Sequence, residues 1–218
     1  MANAKLNLKT PLAPLSWVTV RGTGKLKMNA EDNQLPENYN YTATATLTKA
    51  QADKFNASVD KFWKENKPKG CGKKKFEVIK EEFRKVLDAD GKPKLDADDE
   101  PIKEATGNYT IQAKTLTHWP KDGKQNLIKL LGSNGKPLPE GHGLEEGCGQ
   151  GTMGIIHLSL GISSYPGNEG VVAYLNGVQI KESTYAEFAG GSEVDADEIE
   201  DDVADADVES SEDEKPEV

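Results

Sequence analysis

The sequence predicts a mainly β domain, a small barrel with one inserted amphipathic helix, followed by an acidic tail. Three observations support this prediction. Short segments in which polar and apolar side chains alternate recur along residues 1–189, with turn-forming residues between them. One segment has helical periodicity instead. Residues 190–218 contain 14 acidic residues and one lysine, a pattern typical of disordered interaction tails.

Two strands are predicted before the helix. The first covers residues 17–29, where polar and apolar residues alternate and Gly22 and Gly24 interrupt the run. Glycines inside a strand are typical of the bends that barrels require, so we expect one long bent strand. The second covers residues 39–48, YNYTATATLT, which has the clearest period of two in the chain.

The inserted helix follows directly. Thr48 and Gln51 have the spacing of a capping box, which satisfies backbone N–H groups at a helix start. Four apolar residues then recur on one helical face, which we expect to be buried: Phe55, Val59, Phe62 and Trp63. Pro68 and Gly70 predict the end of the helix.

Strand patterns return in the second half of the chain. Residues 76–87 fit both a helix and a strand, and the polar stretch DADGKPKLDADDEP after them predicts a loop. Further strands are predicted in GNYTIQAKTLTHW, NLIKLL, MGIIHLSLGI and GVVAYLNGVQI. About six strands with turns between them and one helix predict a barrel domain over residues 1–189.

The distribution of charge also changes near residue 190, where the predicted domain ends. The whole chain has a net charge of −10, yet residues 190–218 alone carry −13. Residues 1–189 contain 23 acidic and 26 basic residues, so the domain is mildly basic. A polyanion beside a basic surface competes with nucleic acid and can also bind basic partner proteins. A role of the tail in solubility alone is the alternative.

No motif predicts an enzyme, a metal or a cofactor. Cys71 and Cys148 lack the paired spacing of a zinc site, so we expect free thiols. GCGQGTMG matches the GxGxxG spacing, but the strand-like IIHLSL follows where a dinucleotide site needs a helix. The aspartates between 88 and 99 lack the calcium-loop spacing. No apolar run suits a membrane span or a secretion signal, which predicts a cytoplasmic protein.

Rings and basic residues on the predicted strands are typical of a surface for single-stranded nucleic acid. Rings stack on unpaired bases, and basic side chains neutralise phosphates. The candidates are Trp17, Arg21, Lys25, Lys27, Tyr39, Tyr41, Lys73, Lys74, Lys75, Tyr109, Lys114, Trp119, Lys121, Lys129 and Tyr165. Several rings must instead belong to the core. Trp17 and Tyr109 fit either role, whereas Tyr41 and Trp119 are expected to face the nucleic acid.

In the order of these segments the chain resembles phage single-stranded DNA-binding proteins of the podovirus replication type. The order runs from YTATATLT through QADKFNASVDKFWKEN and PKGCGKKK to GNYTIQAKTL, NLIKLLGSNGKPL, MGIIHLSLGISSY, GVVAYLNGVQI and AEFAGG. The resemblance implies a single OB-fold that coats single strands during replication and recombination in the host cytoplasm, and a tail that contacts replication enzymes. The terminal residues Pro216-Glu217-Val218 replace the aromatic end of the family's best-known tail, which leaves a hydrophobic terminal contact unsupported.

Two other classes of function stay open. A structural or protein-interaction module would use the tail only to stay in solution, and its tryptophan fluorescence would not respond to oligo-dT. A DNA-mimic inhibitor would act through the tail itself, and its barrel would ignore DNA. In every case we expect a monomer or homodimer that needs no membrane.

Overall fold

The computed structural model describes residues 4–22, 24–27, 35, 38–74, 77–120, 122–138, 148, 151–164 and 169–182. Residues 190–218 lie outside this part of the chain, as does the predicted domain boundary. So do three candidate binding residues: Lys75, Lys121 and Tyr165. The described residues confirm a mainly β domain with one inserted helix.

Nine strands and one helix form the described part. In chain order they are β1 (Lys5–Lys9), β2 (Ala13–Thr19), β3 (Lys25–Leu26), β4 (Tyr39–Leu47), α1 (Lys49–Asn66), β5 (Ile79–Lys85), β6 (Lys103–Leu116), β7 (Lys129–Leu131), β8 (Met153–Ser163) and β9 (Gly170–Glu182). The strands join in one sheet with the order β5-β6-β4-β2-β8-β9-β7, and β1 pairs with β8 and β3 with β4. All pairs are antiparallel except β7 with β9. The result is an OB-like barrel that is not closed.

Strand β2 connects the two halves of this sheet. Ala13 and Pro14 pair with β8, whereas from Leu15 onward the strand pairs with β4. Strand β1 lies along β8 just before this point. One half of the wall therefore consists of β2 to β6, and the other half of β1, β7, β8 and β9.

Helix α1 confirms the predicted capping box and buried face. The Thr48 hydroxyl accepts a hydrogen bond from the Gln51 N–H, and the Gln51 side chain accepts one from the Thr48 N–H. The helix ends at Asn66, just before Pro68. Its buried residues are Ala52, Phe55, Val59, Phe62 and Trp63. The helix contacts β4, β6, β8 and β9, so it covers the core shared by both halves.

The core follows the alternation of the long strands. The inward side of β4 contributes Tyr41, Ala43, Ala45 and Leu47, all almost fully buried. Strands β6, β8 and β9 add branched side chains on the same side, among them Ile111, Ile156, Leu158, Leu160, Val171 and Val178. None of the helical segments that the structure describes is long and apolar enough to cross a membrane.

Two expectations about secondary structure change. The continuous strand over residues 17–29 is wrong, because β2 ends at Thr19 and β3 covers only Lys25–Leu26. Gly22 and Gly24 have φ angles of 66° and 78°, which end the strand instead of bending it. The ambiguous residues 76–87 contain strand β5, in which Ile79 is buried and Phe83 is exposed.

The polar stretch after β5 forms two consecutive aspartate turns, which we name the aspartate ribbon (residues 86–102). Oδ1 of Asp88 accepts hydrogen bonds of 2.9 Å from the backbone N–H groups two and four residues further on. Oδ1 of Asp96 does the same at 2.9 and 3.0 Å. The aspartates thus stabilise turns, and no described group of His, Cys, Asp and Glu side chains could hold a metal ion.

Candidate nucleic-acid interface

The outward side of β2, β3, β4 and β6 forms one polar surface, which we name the threonine face. Residues opposite each other on paired strands share a face, so the register defines its members. They are Ser16, Thr19, Lys25, Asn40, Thr42, Thr44, Thr46, Thr110, Gln112 and Lys114, with Trp17 at the edge. Strands β2, β3 and β4 contain no acidic residue, and β6 contains only Glu104. The face is therefore basic.

Trp17 is the most unusual residue of this face. It lies where the register of β2 and β4 shifts between Ser16 and Thr19, and its φ angle is 53°, in the left-handed region. The Thr42 hydroxyl donates a 3.0 Å hydrogen bond to the Trp17 carbonyl and holds this conformation. Such a backbone costs about 1–3 kcal/mol, yet the indole it presents is 72% exposed. Strain that leaves a large ring in water is typical of binding sites.

Lys25 gives the indole a cationic neighbour. Its Nζ atom lies 5.2 Å from the centre of the Trp17 ring, within the range of a cation–π interaction. A flat ring and a cation side by side match the two features shared by all nucleotides, a base and a phosphate. This pair can therefore bind a nucleotide without reading its identity.

Small polar residues form the floor beside this pair. Thr42 and Thr44 are only 5% and 7% exposed, so larger neighbours rise around them. Gln112 donates a 3.5 Å hydrogen bond from Nε2 to the Thr44 hydroxyl. Lys114 lies opposite Thr42 and is exposed. The exposed side-chain amide of Gln112 can both donate and accept, so it can bind polar groups of a nucleotide beside Lys114.

Tyr41 is a correction to the predicted site. Its side chain is 1% exposed and points into the core, so the prediction that it faces DNA is wrong. Its hydroxyl donates to the Gly22 carbonyl at 3.1 Å and accepts from Gln125 Nε2 at 2.9 Å. Tyr41 therefore connects the turn between β2 and β3 to the loop that carries Trp119.

The expected exposure of Trp119 is confirmed, since the side chain is 51% exposed. The backbone N–H of Trp119 donates to the Lys124 carbonyl at 2.8 Å, and its backbone carbonyl accepts from the Gly123 N–H at 2.9 Å. These two hydrogen bonds fix the loop. Thr117, just before this loop, packs against Gly24, where an added Cβ would lie 2.5 Å from the Thr117 methyl group. Gly24 directly precedes β3, and Trp119 follows Thr117 by two residues.

Two predicted phosphate ligands have structural partners instead. Nη1 of Arg21 donates to backbone carbonyls, including that of Ile128 at 2.6 Å. Lys74 has an 8% exposed side chain, and its Nζ lies 2.6 Å from Asp60 and 2.8 Å from Glu77. Burial alone would lower the pKa of Lys74, but the two carboxylates outweigh it and raise the pKa. Lys74 therefore stabilises the fold, and one nitrogen of the Arg21 guanidinium is used by the backbone.

Four of the remaining candidates lie away from the threonine face, whereas Lys27 continues β3 on the side of Lys25, and its backbone N–H donates to the Asn38 carbonyl at 2.8 Å. Tyr39 and Tyr109 are half-buried and occupy inward positions at the two ends of the β4–β6 pair. Lys27 is exposed just after β3, and Lys73 is exposed in the loop after α1. Lys129 is exposed on β7, in the other half of the sheet. The structure thus brings together Trp17, Lys25 and Lys114, with Lys27 next along the same side of the chain.

Sequence reasoning missed the polar floor. Ser16, Thr44 and Gln112 are neither aromatic nor charged, so a search for rings and cations passes over them. A usable signal was present, because the period of two in YTATATLT places every threonine on one side of β4.

The folds of phage proteins resemble this one. "Single-stranded DNA-binding protein from bacteriophage Enc34, C-terminal truncation" superposes with a TM-score of 0.53 at 14% identity, covering 81% of this chain and 86% of that chain. The chain shares its fold with this phage protein. The same phage protein "in complex with ssDNA" superposes with a TM-score of 0.50 at 16% identity and equal coverage. Bacteriophage T7 gp2.5, a single-stranded DNA-binding protein, has a TM-score of 0.48 at 17% identity, covering 93% of this chain and 100% of that chain.

The likeness to the Enc34 protein is one of fold. It confirms the resemblance that the order of sequence segments predicts. No protein-family model matches the sequence, and no curated protein sequence does either.

Proposed function

We propose that this chain binds single-stranded DNA without sequence preference, through the threonine face, and so supports DNA replication. One observation carries the proposal. Trp17 has a strained backbone and is 72% exposed, and the centre of its ring lies 5.2 Å from the Nζ atom of Lys25. Strands β2, β3 and β4, which carry this part of the face, contain no acidic residue. A ring that stacks on a base contributes roughly 1–3 kcal/mol whatever the base. The fold shared with a phage protein that has been solved with single-stranded DNA supports the same conclusion.

The chain acts by binding and not by catalysis in this proposal. The threonine face carries hydroxyls, amides, lysines and an indole, but no histidine, cysteine or carboxylate. These three missing groups are the usual sources of general acid–base and nucleophilic catalysis. A coating protein with these properties suits recombination as well as replication.

The acidic tail regulates the domain in this proposal. Residues 190–218 carry 14 acidic residues and one lysine, whereas residues 1–189 have a slight basic excess. The tail therefore competes with DNA for the lysines of the domain and binds basic replication proteins. The competition is electrostatic, so salt weakens it together with DNA binding.

Titration of labelled oligo-dT with the intact chain and with residues 1–189, at low and high salt, tests both parts. We expect both proteins to bind, salt to weaken both, and the truncated chain to bind more tightly at low salt. Failure of both proteins to bind would overturn DNA binding and favour a protein-interaction module. Equal affinities would overturn tail competition alone. If the truncated chain does not bind DNA and the activity of the intact chain depends on the tail, the result would favour a DNA mimic.

A further inference from the structure

The outward side of the other half of the sheet is also basic. We name it the reverse face, and it consists of the outward residues of β1, β7, β8 and β9. Through residue 181 these strands contain no acidic residue and four lysines: Lys5, Lys9, Lys129 and Lys181. Glu169 directly precedes β9, and Glu182 is its last residue. Of the four lysines, only Lys129 was a candidate binding residue from the sequence.

One row of the reverse face crosses all four strands. Lys9 pairs with His157, His157 with Gly177, and Gly177 with Lys129. Paired residues share a face, and neighbouring strands lie about 4.8 Å apart. Three strand intervals place the two lysine backbones roughly 14 Å apart, with the imidazole and the glycine between them.

Lys129 packs closely against the glycine in the middle of this row. A Cβ on Gly177 would lie 3.0 Å from the Lys129 carbonyl oxygen and 3.7 Å from the Cβ of His157, so only glycine fits here without moving the neighbouring strand. Nε2 of His157 is buried there and has no hydrogen-bond partner. Burial first, and then the charges of Lys9 and Lys129, lower the pKa of His157, and a hydrogen bond between its ring and Gln179 opposes them. Both lysines therefore act on the same spot, which favours an anion.

An aromatic ring lies beside the basic row. Tyr174 is opposite Ser159, one row from His157, and its ring lies across Gly161. A Cβ on Gly161 would be 2.8 Å from Cε2 of Tyr174, so the backbone supports one side of the ring. The side chain is nevertheless 44% exposed. A ring fixed in this way loses little conformational entropy when it stacks on a base.

We propose that the reverse face is a second contact surface for the same single-stranded DNA. Tyr174 stacks on a base, and Lys5, Lys9 and Lys129 bind phosphates. The proposal rests on the proposed function of the threonine face. A long strand continues across β2, which belongs to both halves of the sheet, whereas a short strand occupies the threonine face alone. The ring favours DNA over the acidic tail, because residues 190–218 contain no aromatic residue.

A length series with the full chain tests this surface. The variant Lys9→Ala/Lys129→Ala/Tyr174→Ala is compared with the unaltered chain on oligo-dT of about 8 and about 30 nucleotides, within and beyond the ~4–16 nucleotides that one OB-fold covers. We expect equal affinity for the short strand and roughly 10- to 100-fold weaker binding of the long strand, since one stacked ring and two phosphate contacts are lost.

The matched control removes two lysines and one ring that lie on neither face. Lys61→Ala/Phe83→Ala/Lys103→Ala alters exposed side chains on α1, β5 and β6 and should bind both lengths as the unaltered chain does.

Each other result has a distinct meaning. Unchanged affinity of the reverse-face variant for both lengths overturns the second surface and leaves the threonine face in place. Equal loss at both lengths also overturns it, because it indicates that the reverse face holds the acidic tail away from the threonine face. An unaltered chain that binds neither length overturns the proposed function itself.

Discussion

At the scale of single residues, the surroundings decide which tryptophan is exposed and which supports the fold. Trp63 is buried, and its Nε1 donates to the Gly72 carbonyl at 3.3 Å, whereas Trp17 is exposed. The role of Trp63 was predictable because helical spacing defines one buried face. The role of Trp17 was not, since the register shift in β2 changes which side of the strand it occupies.

Replacing Trp17 separates binding from stability. Trp17→Ala should weaken oligo-dT binding about 5- to 150-fold, which corresponds to the roughly 1–3 kcal/mol of a stacked base. The free energy of unfolding should not fall, because the lost ring is exposed and the strained φ stays. Fluorescence anisotropy and urea unfolding measure the two effects. Phe83→Ala removes a ring of similar exposure outside the threonine face, so an equal loss of affinity there would contradict the assignment.

His157 links stability to pH. Its pKa in the folded protein lies below the ordinary value of 6.5, first because of burial. As the pH falls below about 6.5, the unfolded chain takes up the proton first, so the free energy of unfolding decreases until the pH passes the folded pKa. His157→Gln lacks this contribution. The stability difference between the two proteins, measured by urea unfolding, should therefore shrink from about pH 7.5 to about pH 5.5. A constant difference would refute the linkage.

At the scale of elements, local patterns predicted what local forces decide. Helix α1 was predictable from its capping box, and strand β4 from its alternation of polar and apolar residues. Both signals lie within a few consecutive residues. Strand β1 was missed, since its alternation covers only Lys5–Lys9. The helical spacing of Ile79, Phe83 and Leu87 was misleading, because the last two are exposed and long-range pairing with β6 decides the strand.

The connection through Tyr41 can be measured with a double-mutant cycle. Tyr41→Phe and Gln125→Ala each remove the 2.9 Å hydrogen bond that joins the two loops beside the threonine face. Gln125→Ala should lower the free energy of unfolding by about 1 kcal/mol, and Tyr41→Phe should lower it further because the bond to the Gly22 carbonyl is lost as well. Both should weaken oligo-dT binding a few-fold, and the double variant should be no worse than Tyr41→Phe. Thr48→Ala should cost a similar free energy of unfolding with unchanged affinity. Additive effects on affinity would show that the loops act independently.

At the scale of the whole molecule, charge was predictable and its distribution over the surface was not. Counting residues separates a slightly basic domain from the acidic tail. Only the sheet order shows that Lys25 and Lys114 share one face while Lys129 lies on the other. Pairing partners are far apart in sequence, and no local pattern specifies which strands meet.

The salt dependence of binding reports which lysines contact DNA. Lys114→Ala should make the slope of log affinity against log salt shallower by about 0.7, the value for one phosphate contact with a single strand. Lys103→Ala removes an exposed lysine from the same strand, but outside the threonine face, and should leave the slope unchanged. Titrations at several salt concentrations measure the slope. Equal slopes for the two variants would exclude Lys114 from the interface.

The aspartate ribbon offers a convenient attachment point. Residues 89–100 are exposed throughout, and the Asp96 N–H donates to the Glu100 carbonyl at 2.9 Å, so the chain leaves and re-enters this turn at neighbouring positions. Exposed turns of this kind tolerate inserted sequence. A dye-labelled tag or a fluorescent domain inserted there would label the protein without replacing a residue of the threonine face or the reverse face.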